Sequence, residues 1–151
     1  KVAEEARALG LQAEAVSDLG AAAKTADIIS CATLSSEPLI RGEWLKPGAH
    51  LDLVGAFKPS MRESDDDAVR RSAVYVDTRA GALSEGGDIV QPLKSGVLKA
   101  DNIRGELAEL IAGTCGRRKD DEEITLFKSV GAALEDLAAA ILAYEMVTGG
   151  K

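Results

Sequence analysis

The sequence predicts an α/β fold built on a doubly wound parallel sheet, and three observations predict it. Short apolar runs recur at residues 27–33, 50–55, 73–78 and 124–127. Bounded by turn residues, such runs mark strands buried in a parallel sheet. The segments between them carry apolar residues at helical spacing, and strands alternating with helices mean βαβ units. Each run also closes on small or polar residues: Thr33, Gly55-Ala56, Asp77-Thr78 and Lys128-Ser129. Right-handed crossovers bring successive strand ends to one edge. These four endings are therefore expected to line one polar rim, where open α/β sheets bind their ligands.

Taken in order, Val2, Ala6 and Leu9 have helical spacing and Gly10 closes the helix, although no capping residue starts it at Lys1. Residues 11–16 alternate as a short strand. Ser17 or Asp18 then caps a small helix through Ala21 and Lys24. The run at 27–33 ends among the hydroxyls of Thr33, Ser35 and Ser36. Residues 39–45 form a connector with Trp44 beneath it, and Lys46-Pro47-Gly48 turns into the central run.

That run, His50-Leu51-Asp52-Leu53-Val54-Gly55, reads as a strand buried on both faces and as the floor of a cofactor cleft. At Gly55 and Ala56 the lack of bulk lets the backbone approach a bound molecule. An ordinary strand-to-loop exit is the alternative.

Ser64 to Asp67 supply the cap and first turn of a helix over 68–71, and 73–78 is the next strand. Gly81, Gly86 and Gly87 surround a short acidic turn holding Glu85 and Asp88. Residues 102–112 are amphipathic, with Ile103, Leu107, Leu110 and Ile111 on one face. After the strand at 124–127, Ser129 caps a long terminal helix. Its stripe of Val130, Leu134, Leu137, Ala138, Ile141 and Leu142 runs to Tyr144, and Gly149-Gly150 ends it.

Composition narrows the function. With 151 residues, 46% hydrophobic and 28% charged, the chain is one globular domain with a real core. Aromatics are only 3%, so that core is aliphatic. A net charge of -7 without a basic stripe excludes a nucleic-acid surface. The basic run at 116–119 is followed at once by the acidic run at 120–123, and the two read as one solvated loop. Cys31 and Cys115 lack CxxC spacing and His50 is the single histidine, so no metal site is expected; reduced thiols fit a cytoplasmic protein. No apolar run approaches about 18 residues, and the amino terminus is charged, so neither a membrane span nor an export signal is expected.

Several stretches, in colinear order, resemble the ornithine cyclodeaminase/mu-crystallin family. They are Ala26-Asp27-Ile28-Ile29-Ser30-Cys31-Ala32-Thr33, Gly42-Glu43-Trp44-Leu45-Lys46-Pro47-Gly48 and Val54-Gly55-Ala56-Phe57-Lys58-Pro59 with Arg62-Glu63. Further on come Val76-Asp77-Thr78-Arg79, Glu85-Gly86-Gly87-Asp88, Gly105-Glu106-Leu107 and Thr125-Leu126-Phe127-Lys128-Ser129-Val130-Gly131 with Glu135-Asp136. The resemblance implies an NAD- or NADP-dependent enzyme, a homodimer of roughly twice this length. In such enzymes a Rossmann-like nucleotide domain is inserted into a substrate and dimerisation domain. On that pattern residues 1–130 are the carboxyl-terminal part of the NAD(P)-binding domain, and 131–151 are a terminal helix returning to the other domain.

The resemblance also implies that Thr33 faces the nucleotide and that Val54, Gly55 and Ala56 lie along its ribose-nicotinamide side. Ser129 and Val130 then approach the nicotinamide from the start of the terminal helix, Ser129 also serving as its N-cap. No GxGxxG occurs in the sequence, and the family's substrate-binding Arg and Lys belong to its amino-terminal half, upstream of Lys1. The catalytic residues are therefore not among those named, and Lys1 is not the family's substrate lysine. This chain is expected to be the carboxyl-terminal portion of a larger enzyme, to bind dinucleotide weakly alone, and to associate through uncovered apolar faces.

Ornithine cyclodeaminases carry an aspartate right after their Val-Gly-Gly, where this chain has Phe57, which moves no proton. The resemblance therefore favours reduction of a cyclic imino acid, 1-pyrroline-2-carboxylate or 1-piperideine-2-carboxylate, to proline or pipecolate. Ornithine cyclodeaminase and alanine dehydrogenase are the other enzyme readings, and a mu-crystallin-like binding protein is the non-enzyme one. Asp52 is the carboxylate a deaminase could use instead, although it sits mid-strand.

Overall fold

The computed structural model describes residues 1–149. Its centre is a five-stranded, wholly parallel sheet in the order β1-β2-β5-β3-β4. The strands are β1 (Ile28–Cys31), β2 (His50–Leu53), β3 (Ala73–Val76), β4 (Ile103–Glu106) and β5 (Thr125–Lys128). The last strand thus lies in the middle. Around the sheet run α1 (Val2–Ala8), α2 (Leu19–Thr25), α3 (Asp66–Arg71), α4 (Arg79–Ser84), α5 (Gly87–Ser95), α6 (Leu107–Ala112) and α7 (Ala133–Thr148). Cys31 pairs with Leu53, Leu53 and Val76 both pair with Lys128, and Val76 pairs with Glu106. The expected α/β parallel sheet is present, and its strands end level.

Side-chain alternation divides the sheet into two unlike faces. On one, Leu51, Leu53, Leu126, Val74 and Val76 are at most 1% exposed. They pack with Ala68 and Val69 of α3, Ala82 of α4 and Ile89 of α5. Each large aliphatic side chain buried this way contributes about 1.5–3 kcal/mol. On the other face Ile28 is exposed, while His50, Asp52 and Phe127 are half-buried. The central run is therefore not buried on both sides: its Leu51 and Leu53 are, and its polar alternates are not. A shallow depression on this open face is lined by His50, Tyr75, Leu107, Leu110, Thr125 and Phe127.

Four further expectations are corrected. Residues 11–16 form no strand; they are largely exposed and have no ladder partner among the described residues, and alternation alone does not supply one. Residues 102–112 are not one helix, because Ile103–Glu106 joins β3 as β4 and only Leu107–Ala112 is helical. There Gly105 lets Cys115 pack against the strand, and Glu106 and Glu109 form a capping box that starts α6. The supposed acidic turn holds the end of α4 and the start of α5, with Asp88 fully buried in the latter. Finally, α7 begins at Ala133 with Ala132 at its N-cap, so Ser129 does not cap it and Val130 is not on its stripe. Along α7 Leu134, Leu137, Ile141, Leu142 and Tyr144 are exposed, and Gly149 ends it at φ 71°. Gly150 lies outside the described residues.

Candidate active site

Beyond their last ladder residues the strands remain tied together. Val54 N–H donates to Cys31 O at 2.8 Å, Ser129 N–H to Leu53 O at 3.0 Å, and Asp77 N–H to Lys128 O at 3.1 Å. Thr33, Gly55, Asp77 and Ser129 consequently share one rim, as the strand endings predict.

Two buried carboxylates fasten that rim from below. Glu63 takes Thr33 N–H on Oε1 at 2.6 Å, and Gly55 and Ala56 N–H on Oε2 at 2.9 and 3.3 Å. Asp77 takes Thr78 N–H on Oδ1 at 2.6 Å; its Oδ2 receives Ser129 Oγ at 3.0 Å, Val130 N–H at 2.8 Å and Gly131 N–H at 2.9 Å. These donors lie past the regular ladder, where backbone N–H groups otherwise need water or a side chain. Ser129 is thus held by Asp77 and serves no helix.

The glycine at 55 has a different purpose from the one its position suggests. A Cβ there would collide with the Thr33 backbone and the Glu63 carboxylate, so the missing side chain admits an internal approach. Gly55 and Ala56 are both buried. The side chains that reach solvent are Val54, 45% exposed, and Phe57, 40% exposed, with Thr33, Ser129 and Val130 half-buried. Asp52 lies elsewhere: on the open face, it accepts Ser30 Oγ at 2.8 Å. Lys1 belongs to α1 and supplies no cation to the rim. It is exposed at the N-cap of that helix without a side-chain cap bond, and its carbonyl accepts Glu4 and Glu5 N–H.

A second charged layer lies under the first. Asp88 Oδ1 accepts Glu63 N–H, Ser64 N–H and Ser64 Oγ at 2.9, 2.9 and 3.1 Å. Its Oδ2 has no hydrogen bond among the described residues and faces Lys128 Nζ at 3.9 Å. Lys128 Nζ in turn donates to Leu53 O at 3.3 Å. Burial pushes the Asp88 carboxyl up and the Lys128 ammonium down from their ordinary ranges, each opposed by the charge of the other. Burial, and then the negative charge of Glu63, pushes the Cys31 thiol up to about 12.

Sequence reasoning expected Lys128 on the polar rim, whereas its side chain is fully buried beneath it, and met Glu63 and Asp88 only inside motifs. A usable signal existed for Lys128: it shares the phase of Leu126, two residues earlier, and so falls on the buried face. Asp88 precedes Ile89 and Val90, both buried, on a helix that packs inward.

The exposed rim suits a flat, partly polar ring. Val54 and Val130 offer apolar surface. Ser129 Oγ donates to Asp77 and accepts Gly131 N–H at 3.1 Å, which leaves one lone pair for an amide-type donor. Thr33 Oγ1 accepts Ser35 N–H at 3.2 Å and keeps its proton free to donate. That donor set fits the nicotinamide-ribose part of a dinucleotide; with no GxGxxG in the sequence, its phosphates have no such turn here.

Comparison with known proteins bears on the fold and the family. The fold superposes on Thermococcus litoralis Delta(1)-pyrroline-2-carboxylate reductase, solved with NADH and L-proline, with a TM-score of 0.91 and 43% identity over 95% of this chain and 45% of that one. An archaeal alanine dehydrogenase dimer with bound NAD gives a TM-score of 0.87 at 31% identity, covering 94% of this chain and 43% of that one. The ketimine reductase mu-crystallin of Mus musculus is 44% identical over 126 residues, 83% of this chain and 37% of its own length. The chain spans less than half the length of each of these relatives. Residues 1–151 match one family along their whole length, and the chain belongs to it: the ornithine cyclodeaminase/mu-crystallin family.

Proposed function

We propose that the whole protein carrying this chain is an NAD(P)H-dependent reductase of cyclic imino acids. It would convert 1-pyrroline-2-carboxylate or 1-piperideine-2-carboxylate to proline or pipecolate. Phe57 carries this reading. Exposed on the rim directly after Val54-Gly55-Ala56, it offers no proton where a deaminase needs one. Reduction of an imine already protonated in solution needs orientation and a dry surface instead. Similarity to the reductase solved with NADH and L-proline supports the same choice.

When bound, the nicotinamide cofactor supplies the hydride. Val54 and Val130 would exclude water from the ring, Ser129 Oγ would accept an amide proton, and Thr33 would donate to the nucleotide from the end of β1. Gly55 and Ala56 would act through their buried backbone by shaping the turn under Val54. In this reading residues 1–130 form the carboxyl-terminal part of the nucleotide domain, and 131–151 return to a substrate and dimerisation domain. The exposed apolar side chains of α7 suit burial in such a domain. A homodimer follows by analogy with the alanine dehydrogenase dimer. Among the described residues no helix is long and apolar enough to cross a membrane. A location in the cytoplasm belongs to the same proposal, and the free thiols of Cys31 and Cys115 support it.

The test follows oxidation of NADH and of NADPH by the whole protein with 1-pyrroline-2-carboxylate, beside ammonia release from ornithine. Imine-dependent oxidation is expected. Ornithine turnover without imine reduction, or tight cofactor binding without hydride transfer to any cyclic imine or keto acid, overturns the proposal.

A further inference from the structure

Glu63 has no part in the hydride-transfer chemistry proposed above, yet the first two strand ends meet at its carboxylate. It reaches that point from a segment fixed on both sides. Its carbonyl accepts Leu39 and Ile40 N–H at 2.9 Å each, and its own N–H goes to Asp88. Only the carboxylate extends to the rim, and the side chain is fully buried. Every rim group bonded to it is a backbone donor: Thr33 on one oxygen, Gly55 and Ala56 on the other. Such a setting demands a group that accepts on both atoms, which a carboxylate does and an amide does not.

We infer that Glu63 is a positioning residue for the nicotinamide cofactor. It fixes the separation between Thr33 and the Val54-Gly55-Ala56 turn, the two rim segments that follow β1 and β2. The inference rests on the reading of this rim as the cofactor site. Packing supports the same assignment from the other side, because a Cβ at Gly55 would displace both the Glu63 carboxylate and the Thr33 peptide. The clasp is closed to anything larger than glycine.

The whole protein tests this through Glu63→Gln and Glu63→Ala, with Val74→Ala as a control that weakens the core away from the rim. Glutamine must turn an NH2 group toward one set of donors, so it loses one side of the clasp, and alanine loses both. Glu63→Gln is expected to raise the dissociation constant and KM for NADH or NADPH roughly tenfold, about one hydrogen bond's worth, and Glu63→Ala more. KM for the imine should stay within about twofold in both. Val74→Ala should lower Tm while leaving the cofactor constants unchanged. A Glu63→Gln protein with a lowered Tm and unaltered cofactor binding overturns the inference, because a purely structural carboxylate behaves so.

Should neither Glu63 variant fold, amide hydrogen exchange on the unmodified protein decides. The N–H groups of Thr33, Gly55 and Ala56 should be protected to the level of neighbouring strand amides, and rapid exchange at all three overturns the clasp. Wild-type protein that binds cofactor but reduces no imine defeats the proposed function alone. Wild-type protein that binds neither NADH nor NADPH defeats both.

Discussion

The two faces of the sheet are made by the same strands and behave as different materials. On the closed face Leu51, Leu53, Val74, Val76 and Leu126 pack against α3, α4 and α5, and two of the buried charged groups beside them, Asp88 and Lys128, face each other. On the open face Tyr75 is covered, its hydroxyl donating to Gly116 O at 2.8 Å, while Phe127 and His50 remain half-buried. Arg104 there lies 5.8 Å from the Tyr75 ring and grips both Glu123 oxygens at 2.7 and 2.6 Å. The closed face holds the chain together by exclusion of water. The open face relies on directional polar contacts, which salt and pH can reach.

Substitutions along β5 should separate the two most sharply. Leu126→Ala removes a fully buried side chain from the central strand and should cost roughly 2–5 kcal/mol of unfolding free energy, read by denaturant titration. Its neighbour Phe127→Ala, on the half-covered face, should cost only about 1 kcal/mol despite the larger ring. Equal losses would mean that the faces are equally packed and would dissolve the contrast.

Acid should act on the open face. The Arg104 guanidinium holds the Glu123 carboxyl down to about 2, below its ordinary 4.5. A depressed folded value contributes stability that is complete above the unfolded pKa and is lost as pH falls from about 4.5 toward 2. Glu123→Gln should therefore flatten that part of the stability-pH curve, and an unchanged acid limb would show that the pair contributes nothing. A smaller effect concerns reactivity. With its thiol pushed up to about 12, Cys31 should stay unlabelled by a thiolate-selective reagent at neutral pH in native protein. The half-buried Cys115 should label first. Prompt labelling of Cys31 would mean that the closed face opens readily.

Much of this is legible in the sequence because it depends on local pattern. Four of the five strands and the common rim of Thr33, Gly55 and Ser129 follow from apolar runs and their endings, and two caps are narrowed to Ser17 or Asp18 and to residues 64–67, where Asp18 and Asp65 fill them. What escapes depends on contacts distant in the chain. Ile103 to Glu106 reads as the first turn of a helix until β3 lies beside it. Ser129 resembles an N-cap because a hydroxyl precedes a helical stripe; Asp77, 52 residues earlier, claims it instead. Asp88 looks like a turn residue by composition, whereas its carboxylate organises a loop 24 and 25 residues back. Gly55 reads correctly as a place needing a small residue, but spacing alone does not say which neighbour requires the room.

The central position of β5 has a consequence for how the molecule comes into being. β2 and β3 do not touch as partners; each pairs with β5. Until residues 125–128 arrive, the chain can form only two separate ribbons, β1 with β2 and β3 with β4. Folding that waits for a late keystone proceeds slowly and leaves strand edges unprotected meanwhile. On a ribosome, the rim that joins Thr33, Gly55 and Ser129 would thus take shape only after β5 has emerged.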